Sequence, residues 1–123
     1  MKIAEVTKTK LTDKMVYDMV RELGITSRYK GYHCIAKAAL MYVDIVYRNQ
    51  DTILITKDVY PAVASKMKDL TPSMVERNIR LAVNVCWKTN RKALEELANM
   101  TLDHKPTNSE FLDLLAYNIY MAE

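Results

Sequence analysis

Side chains that could read a nucleic acid recur at helical spacing between residues 73 and 88 of this sequence. They are Ser73, Glu76, Arg77, Arg80, Asn84 and Lys88. Arginine can donate two parallel hydrogen bonds to a guanine edge, and Asn, Ser and Lys can meet bases or phosphates. At about 100° per residue these side chains share one side of a helix. Most charged helix faces are only solvated, so this pattern alone leaves both interpretations open.

The helix that must carry these side chains has two alternative start signals. Thr71 can be the N-cap with Pro72 at the first helical position, or Ser73 and Glu76 can form a capping box. The sequence predicts a helix over 72–89. Its opposite side is an apolar stripe of the kind that packs on a core, consisting of Val75, Ile79, Ala82, Val83 and Cys86.

The composition predicts one compact all-α domain. A chain of 123 residues can bury a core without disulfides or a structural metal. With only two Gly and three Pro, the chain has few turn signals for a sheet. Cys34 and Cys86 stand alone and lack metal-ligand spacing to His33 or His104, so we interpret both as core thiols in a reducing compartment and expect no metal.

Charge is distributed unevenly along the chain, although the net charge is only +3. Between residues 71 and 92, Glu76 is the one acid, and the bases are Arg77, Arg80, Lys88, Arg91 and Lys92. Residues 93–123 carry six acids against Lys105. A polyanion is therefore expected to meet the first of these segments and not the second.

The remaining apolar periodicity divides the chain into a tail and a helical domain. Residues 1–11 are predicted to be a flexible tail, and residues 12–123 the folded domain. Gly24 should end the first helix, and a long second helix should span 31–48. Thr56 and Asn90 are predicted N-caps of the third and fifth helices. Thr107 and Glu110 have capping-box spacing at the start of the last helix.

The third helix, predicted near 57–67, is joined to the helix at 72–89 by a very short link. Two helices so connected, the second with a basic face, are typical of a helix-turn-helix. The link lacks the glycine often found in such turns. Lys105, in the loop before the last helix, could reach a phosphate or could simply be solvated.

Five stretches, in this order, resemble the DNA-binding effector domain of the sporulation master regulator, stage-zero sporulation protein A. They are RELGI, KGYHCIAKAALM, ITKDVYPAVASKM, TPSMVERNIRLAVNVCW and KPTNSEF. The resemblance implies an all-α domain of about six helices, whose third and fourth form the helix-turn-helix. It also implies binding to double-stranded DNA at TGTCGAA-like boxes.

By this resemblance, Glu76, Arg77 and Arg80 match base-reading positions, Ser73 lies at the start of the reading helix, and Lys105 matches a loop lysine that touches DNA. Two positions depart from the family pattern. Met74 stands where the family usually has arginine, and Leu81 where it usually has histidine. Affinity could fall, thymine methyls could meet apolar side chains, or the preferred site could change.

The family's regulators carry an N-terminal phosphorylated receiver domain, for which 123 residues leave no room. The sequence leaves open a stand-alone relative and a trimmed regulator. It also leaves open a second function, as a protein-interaction module that pairs with itself or with a full-length regulator and antagonises it. Exposed apolar residues at Met74 and Leu81, together with the acidic last helix, motivate that alternative.

Catalytic signatures are missing from the sequence. It has no glycine-rich phosphate loop, nucleophile motif or paired catalytic carboxylates, so we predict no enzyme activity and no cofactor. No apolar run approaches the length of a membrane span, and the N-terminus lacks the apolar region of a secretion signal. The expected protein is a cytoplasmic transcription regulator.

Overall fold

The computed structural model describes the backbone of residues 3–123 and the side chains of residues 12–123. Six α-helices account for most of it, and the described residues contain no strand. The helices are α1 (Ile3–Glu22), α2 (Gly31–Tyr42), α3 (Tyr60–Lys66), α4 (Pro72–Thr89), α5 (Arg91–Ala98) and α6 (Asn108–Ala122). The predicted all-α bundle is confirmed. Within the described part of the chain, no helix is both long enough and apolar enough to cross a membrane.

The first helix begins at Ile3, before the predicted start of the folded domain at residue 12. The segment before Thr12 contains neither glycine nor proline, so nothing in it stops helix propagation. The predicted tail over residues 1–11 lies outside the described side chains, and its flexibility stays a prediction. At the other end of α1, Gly24 has a φ of +85°, the left-handed conformation predicted for a glycine cap.

Helix α2 lies at the centre of the bundle, where it packs against α1, α4 and α6. Its buried residues cover most of its surface, which agrees with the broad apolar pattern of the sequence. The helix continues as a π-helical segment, Val43–Arg48, so the predicted extent to Arg48 is also confirmed. Because α2 touches α4 directly, it fixes how far α4 projects from the core.

A second π-helical segment, Ile55–Val59, leads into α3. The prediction that Thr56 caps this helix is wrong, since the chain becomes helical one residue earlier and Leu54 is the N-cap. The Asp58 carboxylate accepts the Leu54 N–H at 2.8 Å instead. An acid within the first turn thus provides the polar partner that we expected from a threonine hydroxyl.

Helix α4 starts at Pro72, with the Thr71 hydroxyl accepting the Met74 N–H at 3.2 Å. Of the two predicted starts, the structure uses the Thr71–Pro72 one. The predicted apolar stripe is confirmed in full, because all five of its residues are buried. The turn between α3 and α4 places Asp69 at a φ of +64°, so an aspartate occupies the left-handed position for which no glycine is present.

The start of α6 is a capping box, as predicted. The Thr107 hydroxyl accepts the Glu110 N–H at 3.1 Å, and the Glu110 carboxylate accepts the Thr107 N–H at 2.9 Å. The bond from the Thr107 N–H to the carboxylate is the main cause that lowers the pKa of Glu110 below its ordinary value. The box fixes the direction in which the preceding loop, with Lys105, approaches α4.

Candidate nucleic-acid interface

The outward side of α4 carries the predicted reading residues. Ser73, Arg77, Arg80 and Lys88 are exposed, and Glu76 and Asn84 are half-buried. Arg77 and Lys88 take part in none of the ion pairs among the described side chains. Their cationic groups are therefore available to an anionic partner.

Glu76 and Arg80 form an ion pair along this face. The Arg80 Nε donates to Glu76 Oε1 at 3.0 Å, and the two side chains retain 50% and 37% of their exposure, in that order. This bond uses one of the five N–H donors of the guanidinium. The terminal amino groups of Arg80 and the second oxygen of Glu76 remain to face a ligand.

Asn108 joins this pair to two other helices. Its Nδ2 donates to the backbone carbonyl of Glu76 at 3.1 Å and to the Tyr60 hydroxyl at 3.0 Å. One amide at the start of α6 therefore ties the turn of α4 that carries Glu76 to the start of α3. The sequence did not identify this contact, because three residues so far apart in the chain carry no common spacing.

Lys105 reaches the same face from the loop between α5 and α6. Its Nζ donates to Asn84 Oδ1. It also lines a cleft of about 480 Å³ beside α4, together with Arg80 and Glu76. The structure thus places the loop lysine beside Glu76 and Arg80, whereas Ser73 and Arg77 do not line this cleft.

The loop that carries Lys105 is braced from α5. The Arg91 guanidinium lies 4.1 Å from the centre of the Trp87 ring and donates to the Leu102 carbonyl. The Glu95 carboxylate accepts the Leu102 N–H at 2.7 Å. Arg91, which counted toward the basic segment of the sequence, is therefore engaged within the protein. Although Trp87 and Arg91 are four residues apart, α4 ends between them, so helical spacing gave no signal for this contact.

Asn90 is the N-cap residue of α5, but the predicted side-chain cap is wrong. Its Nδ2 donates to the Glu22 carbonyl at 3.0 Å, and no side-chain capping bond is made. The amide bonds to the end of α1 because the C-terminal ends of α1 and α4 lie close together, a proximity that the sequence does not show. This bond fixes the C-terminal end of the candidate interface against the bundle.

Met74 and Leu81 lie on one flank of the face, and each is 43% exposed. Their outward position, predicted from the helical spacing, is confirmed. Each of them therefore leaves a substantial part of its apolar surface open to solvent. They are the two positions at which the surface departs from the pattern that the sequence resembles.

Taken together, these contacts describe an all-α domain that presents one cationic, hydrogen-bonding helix face, a class that includes DNA-binding regulators. The family described as "Sporulation initiation factor Spo0A C terminal" matches residues 16–119. The chain belongs to this family, which is one of DNA-binding sporulation regulator domains and not of enzymes.

Proposed function

We propose that this protein is a sequence-specific DNA-binding transcription regulator that reads the major groove with α4. The observation that carries the proposal is the outward face of α4, where the exposed Arg77 joins none of the ion pairs among the described side chains and Arg80 bonds Glu76 while both remain accessible. In a cell such a regulator acts where the chromosome is, in the bacterial cytoplasm.

The α3–turn–α4 unit supports insertion as a helix-turn-helix. The two helices pack against each other across the short turn at 67–71. In that motif the second helix enters the groove and its N-terminal residues contact base edges. The first two turns of α4 carry Ser73, Glu76 and Arg77, so these residues would contact the bases.

The chemistry of the Arg80–Glu76 pair matches a neighbouring guanine and cytosine. The free amino groups of Arg80 can donate to guanine O6 and N7, and the free Glu76 oxygen can accept from the cytosine amino group. Because the pair is already assembled at 3.0 Å, little side-chain ordering remains to be done on binding. The box TGTCGAA, implied by the sequence resemblance, contains such a CG step.

The Lys105–Asn84 contact supports a phosphate contact at the edge of the face. Lys105 brings a positive charge to the middle of α4, and its ammonium retains donors beyond the one given to Asn84. Lys88 adds a second exposed charge near the C-terminal end. Such lysines position a protein on the duplex without reading sequence.

Fluorescence anisotropy with a TGTCGAA duplex and a scrambled duplex tests the proposal. We expect tighter binding to TGTCGAA at every salt concentration, and weaker binding to both duplexes as salt rises, because phosphate contacts release counterions. Equal and weak binding to the two duplexes would contradict sequence-specific reading.

The flank of Met74 and Leu81 leads to a prediction about affinity. The double variant Met74→Arg/Leu81→His should bind the TGTCGAA duplex more tightly than the wild type, because it adds polar groups that can meet base edges or phosphates. Met121→Arg adds a similar charge to another exposed apolar position, on α6, and serves as the control. If both variants gain equally, added charge and not the position on α4 explains the gain.

The same flank bears on which site the protein prefers. Apolar side chains can contact thymine methyl groups in the major groove. Selection of bound oligonucleotides from a random pool should therefore return boxes with thymine opposite Met74 or Leu81. Recovery of the unchanged TGTCGAA box alone would show that these two side chains do not alter specificity.

A protein-interaction module is the second candidate, and the exposed apolar residues of α6 favour it. Tyr117, Tyr120 and Met121 retain 48%, 38% and 63% of their exposure. A patch of this kind suits contact with another protein, including a second copy or a full-length regulator. Light scattering after size exclusion, alone and with that regulator, distinguishes this candidate, since a monomer in both samples argues against it.

A further inference from the structure

The loop between α1 and α2 carries two basic side chains, Arg28 and Lys30, for which the DNA-reading face alone gives no role. Both are exposed, and neither takes part in any ion pair among the described side chains. We propose that they form a phosphate clamp on the strand opposite the one that Lys105 contacts. This inference rests on the proposed insertion of α4 into the major groove.

The loop is seated directly on α4. Arg28, Lys30 and Gly31 line a groove of about 200 Å³ whose other wall includes Asn78, Leu81 and Val85. Gly31 approaches so closely that a Cβ there would lie 2.5 Å from the Asn78 carbonyl oxygen. The two basic side chains are therefore held beside the reading helix by backbone contact.

The loop is also internally fixed. The Tyr29 N–H donates to the Thr26 carbonyl at 3.0 Å, and the Tyr32 N–H donates to the Tyr29 carbonyl at 3.1 Å. Ile25, just before these turns, is fully buried. The Arg28 guanidinium lies over the Tyr29 ring, 5.6 Å from its centre. A preformed loop loses little entropy when its charges meet phosphates.

The loop and Lys105 lie on opposite flanks of α4. At about 100° per residue, Glu76 and Arg80 lie to one side of Arg77, and Leu81 and Val85 to the other. Lys105 shares its cleft with the first pair, whereas the 28–30 loop shares its groove with the second. The reading face therefore has a basic loop along each edge.

A DNA duplex presents phosphates in the matching arrangement. The major groove is about 12 Å wide, close to the diameter of a helix with its side chains, and one sugar-phosphate strand borders each side. With α4 in the groove, cations on its two flanks face different strands. Arg28 and Lys30 then supply the contacts that Lys105 cannot reach, and they fix the roll of α4 about its own axis.

The salt dependence of binding tests the clamp. Each phosphate contact adds about 0.9 to the slope of log K against log salt concentration. Arg28→Ala and Lys30→Ala should each lower the slope by about that amount, with the ratio of TGTCGAA to scrambled binding unchanged, because phosphates carry no sequence information. Lys14→Ala is the matched control, since it removes one charge from α1, where Lys14 pairs with Asp18.

The strand assignment is tested with duplexes in which single phosphates are replaced by neutral methylphosphonates. Some replacements should weaken binding by the wild type but not by Arg28→Ala/Lys30→Ala, and these should all fall on one strand. Replacements that weaken binding by the wild type but not by Lys105→Ala should all fall on the other strand. Both sets on the same strand, or slopes equal to that of Lys14→Ala, would overturn the clamp. If the wild type binds both duplex sequences equally, specific reading fails, while the salt slopes still decide the clamp.

Discussion

Arg80→Ala is expected to weaken binding to the TGTCGAA duplex by about 3 kcal/mol, roughly a hundredfold, and to do more harm than Arg77→Ala. In the proposed complex, loss of either arginine removes a bidentate contact to a base. Only the loss of Arg80 also frees the Glu76 carboxylate, which its Nε now neutralises at 3.0 Å. That carboxylate would then face the DNA phosphates without a partner.

Anisotropy titrations of both variants measure this difference. Adding Glu76→Gln to Arg80→Ala should recover part of the loss, because it removes the unpaired negative charge. The exposed Arg80–Glu76 pair contributes about 0.3 to 0.5 kcal/mol to folding, so urea unfolding should hardly change. Equal losses for Arg77→Ala and Arg80→Ala would contradict the role of the pair, and no loss in either would contradict reading by α4.

Gly31→Ala is expected to lower the free energy of unfolding by about 3 kcal/mol, although alanine is the better helix former. The added Cβ would lie 2.5 Å from the Asn78 carbonyl oxygen and 2.9 Å from the Ala82 Cβ. The first of these atoms belongs to the backbone of α4 and cannot rotate away. The two central helices would have to separate, exposing apolar surface around Ala82.

Urea unfolding measures this loss as a lower midpoint with an unchanged slope. Gly24→Ala is the matched control, because its φ of +85° imposes a backbone cost while its nearest neighbour, Asn90 Nδ2, lies at an ordinary 3.5 Å. We expect about 1 to 2 kcal/mol there. A Gly31→Ala loss no larger than that of Gly24→Ala would contradict the close approach of α2 to α4.

Several features of the fold could be predicted because their signals are local. Thr71–Pro72, Thr107 with Glu110, and Gly24 each act within one turn of chain, and each behaves in the structure as its type predicts. The buried stripe of α4 follows from the helical period in the same way. The predictions for Thr56 and Asn90 failed because local spacing shows where a cap is available, but not whether another partner takes its place.

The sequence by itself determined that this is an all-α domain, where the proposed reading helix lies, and which of its faces is cationic, since helical period and side-chain type suffice for these. Only the tertiary structure decided what stands beside that face. Lys105 bonds to Asn84, and Asn108 bridges α3 and α4. The loop with Arg28 and Lys30 lies along the opposite flank of α4. These residues come together because α2 and α6 pack against α4, and packing between distant segments leaves no periodic trace in the chain.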